Sequence, residues 1–229
     1  MHISFFLFYF AFQSTFKMDN TKEQLEAIRD IRNIMERSSR FISLSGLSGV
    51  FIGIYALAGA WLAFEKTISA SVSYFANEAT AAQAEREWVM FFVLDALAVL
   101  VLSLLTATLL TIRNSRKKGI PVWDQTARRL MWNMMIPLVA GGVFCLAMIY
   151  NRNYQFLAPA SLIFYGLALV NASKYTLNDI RYLGISQLAL GLLACFLLDW
   201  EYSLMLWAAG FGLLHIVYGA FMYFKYERK

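Results

Sequence analysis

Apolar and polar residues alternate along this chain in long blocks, and the blocks set the architecture. Four charge-free runs reach 21 residues or more, and a helix rising about 1.5 Å per residue needs roughly 20 to cross hydrocarbon. The pattern predicts an all-α fold, a polytopic bundle of six transmembrane helices over about 41–64, 88–112, 130–150, 154–173, 182–198 and 202–224. The second is interrupted by Asp95, the third carries Pro137 as an expected kink, and the fifth is short.

Upstream of the bundle the period changes. Within 18–40, Ala27, Ile28, Ile31, Ile34 and Met35 recur at helical spacing, with Arg32–Glu36 and Glu36–Arg40 as i,i+4 charge pairs. Thr21 and Gln24 have capping-box spacing. This predicts a cytoplasmic amphipathic helix, to be packed on the bundle or against a partner helix. Residues 1–17 fit neither element. They are apolar and aromatic, with no cationic start and no small-x-small cleavage site. The expectation is an extension preceding a true start at Met18, with an interfacial or uncleaved signal-like segment as the other reading.

The first span opens on small residues. Ser45, Gly49 and Gly53 follow one another at i+4 and are expected to pack helices closely, within the bundle or between copies. Asn133, Asn171 and Gln187 are expected to hydrogen-bond between helices.

Composition confirms the solvent. The 229 residues are 59% hydrophobic and only 15% charged, with mean hydropathy +0.54, against about 25% charged in soluble domains. Net charge is +5. That excess does not call for nucleic acid, because the cations cluster on alternate loops. Counted from Met18 with the N-terminus inside, sixteen Lys and Arg fall on the cytoplasmic side and three outside. Six lie in the segment Arg113–Arg129. Both termini are therefore expected in the cytoplasm.

Few residues offer chemistry. Asp95 lies seven residues into an inward-running span and His215 thirteen into the last one. An intramembrane ionisable group is a functional-site hypothesis by default. Asp95, His215 and Tyr218 form the candidate intramembrane polar site, read either as a proton or cation relay or as hydrogen-bonded stitching. Cys145 and Cys195 sit inside apolar runs and read as packing residues. They lack the local spacing of a metal site, so no metal and no cofactor is expected. No phosphate-binding loop, HExxH or G-x-S-x-G occurs, which leaves no catalytic residue to name.

Arg40-Phe-Ile-Ser-Leu-Ser-Gly-Leu-Ser-Gly49, the stretch Ala158–Thr176 and Gly212-Leu-Leu-His-Ile-Val-Tyr-Gly219 resemble an uncharacterised family of small bacterial multi-pass membrane proteins, from about Lys22 onward. The resemblance implies a location in the cell inner membrane and carries no activity. The leading functional expectation is a non-catalytic protein that binds or regulates a protein partner through its cytoplasmic face. The alternatives are a small-solute or ion transporter using Asp95 and His215, and a lipid-modifying enzyme. Partners expected are the lipid bilayer, a cytoplasmic protein and a second copy of the chain.

Overall fold

The computed structural model describes residues 45–74 and 81–228, together with Ile28. The expectations for 1–17 and, Ile28 apart, for the amphipathic helix of 18–40 lie outside the described residues. Those described are helical, with no strand among them. The elements are α1 Gly46–Tyr74, α2 Ala81–Lys118, α3 Gln125–Tyr150, α4 Leu157–Ala172, α5 Asp179–Ala194, α6 Trp200–Trp207 and α7 His215–Tyr226. A 3-10 turn, Tyr154–Phe156, precedes α4, and a π-helical stretch, Ala208–Leu214, joins α6 to α7.

Five segments are long and apolar enough to cross a membrane: Gly46–Ile68, Gln83–Lys118, Gln125–Tyr150, Tyr154–Ala172 and Trp200–Tyr226. The described residues thus have the all-helical, apolar make-up of a multi-pass membrane protein. The 16-residue α5, about 24 Å long at 1.5 Å per residue, is not among them.

The basic segment differs from the sequence expectation. It was expected as a loop from Arg113, yet α2 continues through it to Lys118. Arg and Lys are good helix formers, and Arg116, Lys117 and Lys118 stand in the last turn, where the helix dipole favours cations. Gly119 ends the helix with φ +64, and Ile120 N–H reaches back to the Ser115 carbonyl (3.1 Å), satisfying one terminal acceptor. Asp124 then caps α3 by accepting from Ala127 N–H at 2.6 Å. α3 runs on through Pro137, which is buried.

α1 packs between α2 and α7; α6 meets α4 and α5, and α4 lies between α3 and α5. Small side chains fill these seams. Ala56, Ala60 and Ala63 of α1 and Ala160, Ala168 and Ala194 of the α4–α5 pair are buried. This is how helices associate where lipid supplies no hydrophobic drive between them. Side-chain contacts also tie the bundle at its two ends. Trp200 Nε1 donates to Thr67 Oγ1 (2.8 Å), and Glu85 accepts from Tyr154 Oη (2.9 Å) and meets Arg152 (3.4 Å). At the other end Lys225 pairs with Asp179 (2.7 Å), and Glu227 accepts from Ser45 Oγ (3.1 Å).

Candidate functional site in the helix bundle

His215 is the polar centre of the bundle. It opens α7 directly after the π-helical stretch and is 3% exposed. Its Nδ1 lies 3.0 Å from the Gly210 carbonyl. A carbonyl only accepts, so Nδ1 carries the proton and Nε2 presents a lone pair. Tyr165 of α4 donates its hydroxyl to that lone pair at 3.0 Å. From α5, Gln187 donates Nε2 to the same Gly210 carbonyl at 2.8 Å. Its 3.4 Å approach to His215 Nδ1 sets two donors side by side and adds no bond.

The cluster is closed. Gln187 is fully buried, and its Oε1 has no hydrogen-bond partner. A Cβ built on Gly210 would stand 2.6 Å from that oxygen and 2.5 Å from Leu162 Cδ2, so the amide packs directly on the glycine. An unsatisfied buried acceptor costs about 1–3 kcal/mol. Both nitrogens of His215 are engaged, which leaves the neutral ring no free electron pair for nucleophilic attack or metal ligation. In the π-helical stretch the Gly210 carbonyl is taken by the side chains of His215 and Gln187, and π-bulges occur frequently at functional sites.

Asp95 lies elsewhere. It is half-buried on α2, facing Gly59 of α1. A Cβ at Gly59 would be 3.2 and 3.4 Å from its two carboxylate oxygens. No described residue bonds or pairs with it. His215 sits at another level of α1, its carbonyl 3.3 Å from a Cβ built on Gly49. Gly49 and Gly59 are ten residues apart, about 15 Å along the helix, so Asp95 and His215 are not brought together. Tyr218, half-buried on the next turn of α7, has its hydroxyl beside the Leu183 backbone and its ring 6.2 Å from Phe221. The His215 ring is met by Tyr165 instead.

Of the small residues at the start of the chain's first span, Gly49 lies against Gly219 of α7, where a Cβ would come to 3.0 Å of its Cα. Gly53 lies against the Gly212 carbonyl, at 2.5 Å by the same construction. Ser45 bonds Glu227, whose other carboxylate oxygen accepts from Gly46 N–H. Asn133 bonds within its own helix, to the Arg129 carbonyl (2.8 Å), rather than to another. Gln187 bonds between helices.

The end holding Asp179 carries the clearest ion pair. Burial raises the Asp179 carboxyl, but the hydrogen bonds from Lys225 and Tyr226 (2.7 Å each) outweigh it and hold the group below the ordinary carboxylate range. Tyr165 and the Gly210 carbonyl had no signal in the sequence, since a Tyr in an apolar run looks like any other aromatic. Among the described residues no three of His, Cys, Asp and Glu converge as a metal site, and both cysteines are free. No family model matches this chain, and neither does a curated protein or a solved structure.

Proposed function

We propose that this chain is an integral protein of the cell inner membrane that crosses it six times with both termini in the cytoplasm. Its role in this reading is non-catalytic: it docks or regulates a protein partner at the cytoplasmic face. The observation that carries the reading is Glu227 capping the start of α1 through Ser45 and Gly46. Two ends of a bundle meet on one side only if the number of crossings is even. Five long segments leave one to be supplied, and α5 with the residues up to Asp199 is the remaining stretch. The sixteen-to-three cation asymmetry supports the cytoplasm as the shared side.

Ile28, on the apolar stripe of the N-terminal segment, is 61% exposed, and an apolar stripe at helical spacing is the surface with which a helix enters a partner's groove. Deleting Asp19–Arg37 and comparing the proteins that co-purify from native membranes tests the role. Loss of a specific partner is expected, and an unchanged set sinks the docking reading. Cysteine labelling from each side of the membrane, at Gly119 and at Glu201, tests the topology independently.

A second reading, transport of a small cation or proton, is favoured by Asp95 alone: an intramembrane carboxyl with no partner among the described residues. Proton or cation flux in proteoliposomes that is abolished in Asp95→Asn supports it. Flux that survives the change removes Asp95 from the mechanism.

A further inference from the structure

α2 and α3 are joined at both ends and do not pack along their length. At one end the six residues 119–124 connect them. At the other, Glu85 and Trp88 of α2 hold the turn after α3, through Tyr154 (2.9 Å to Glu85, ring centroids 5.8 Å from Trp88) and Arg152. Between those ties α2 packs on α1 and α3 packs on α4. A lateral cleft therefore separates two spanning helices whose apolar side chains, Leu105 and Leu109 on α2, Trp132 and Ile136 on α3, are exposed.

The connected end of the cleft is cationic. Arg113, Arg116, Lys117, Arg128 and Arg129 are all exposed and form no ion pair among the described residues. They lie within six residues of Ile112 or Leu130, where the apolar segments stop, so they stand at headgroup depth, within about 9 Å of the hydrocarbon edge. The one acid of the turn, Asp124, is already used on Ala127 N–H. Trp123, in the same turn, is 63% exposed, and Trp prefers that depth.

We propose that this cleft seats an anionic glycerophospholipid, its phosphate on the α2–α3 turn and its acyl chains between the two helices. Apolar walls select a chain-bearing molecule over a soluble anion or an acidic protein, and unpaired cations at the apex select an anionic headgroup over a zwitterionic one. The proposal is independent of the docking role above.

The test uses the full-length protein, purified and delipidated in detergent, with thermal unfolding as the readout. Phosphatidylglycerol in mixed micelles should raise the midpoint by several degrees, while phosphatidylcholine with the same chains and inorganic phosphate should not. Arg116→Gln/Arg128→Gln/Arg129→Gln should weaken the phosphatidylglycerol effect about tenfold or more, and Lys174→Gln, elsewhere on the surface, should leave it intact. An equal response to phosphatidylcholine, or a full response to phosphate alone, overturns the assignment. If the triple variant does not fold, the wild-type titration repeated at high salt decides. Headgroup binding must weaken as the charges are screened, and a salt-independent shift overturns it.

Discussion

His215 and Asp95 are both titratable side chains on helices that are otherwise apolar, and the bundle treats them in opposite ways. His215 stands where α1, α4, α5 and the last helix converge, and each polar atom of its ring meets a partner from the Tyr165 hydroxyl or the Gly210 carbonyl. Asp95 stands on α2, which packs on α1. Its carboxylate faces Gly59 of α1, and no described residue donates to it. The difference follows from adjacency, not from depth. A helix in the centre of a bundle is reached by side chains from several neighbours, whereas an edge helix offers its polar residue one neighbour and lipid. A central histidine becomes architecture; an edge carboxyl keeps its chemistry in reserve.

That contrast can be broken by measurement. The largest effect is expected from Gly210→Ala, which drives a methyl group into Leu162 and the Gln187 amide. Overpacking of this kind costs about 1–3 kcal/mol, or about 2–12 °C in melting temperature for a chain of this size. An unchanged melting temperature would show that the cluster is looser than its geometry. Next comes His215→Phe, which keeps the ring but strands the Tyr165 hydroxyl. A loss of about 1–3 kcal/mol is expected, and Tyr165→Phe in the same background should recover part of it.

Asp95→Asn is expected to shift stability by less than about 0.5 kcal/mol, while abolishing modification by a hydrophobic carbodiimide, which attacks protonated carboxyls in apolar surroundings. A destabilisation as large as that of His215→Phe would erase the distinction between the two sites. The smallest effect belongs to Asp179. Its carboxyl is depressed by Lys225 and Tyr226, so its contribution is present above the unfolded carboxylate pKa and lost as pH falls through the lower folded one. Asp179→Asn should flatten that acid limb and change the melting temperature at neutral pH by about 1 °C, as surface ion pairs do.

The helices themselves were legible in the sequence because a membrane demands uninterrupted apolar runs, and the shortness of α5 was legible for the same reason. The end of α2 was not, since Arg and Lys are at home both in a loop and in a last helical turn. Asp95 and His215 stood out as polar residues in apolar runs, and their depths followed from counting. Which residues face them did not, because helix adjacency has no period. Tyr165 lies fifty positions from His215, and nothing in Ala208–Leu214 beyond its two glycines announces a π-helical stretch. Asn133 shows the limit: a helix-exposed amide can bond its own backbone four residues back as readily as a neighbour.

The cap that Glu227 places on α1 has a consequence for how the protein is made. The first turn of α1 stays uncapped until α7 and Glu227 have been synthesised and inserted, so α1 is finished only after the rest of the described bundle has been made. A substitution at Glu227 therefore acts on the start of α1, 181 residues away in the sequence. Closure of the described bundle is in this sense a late step of its assembly.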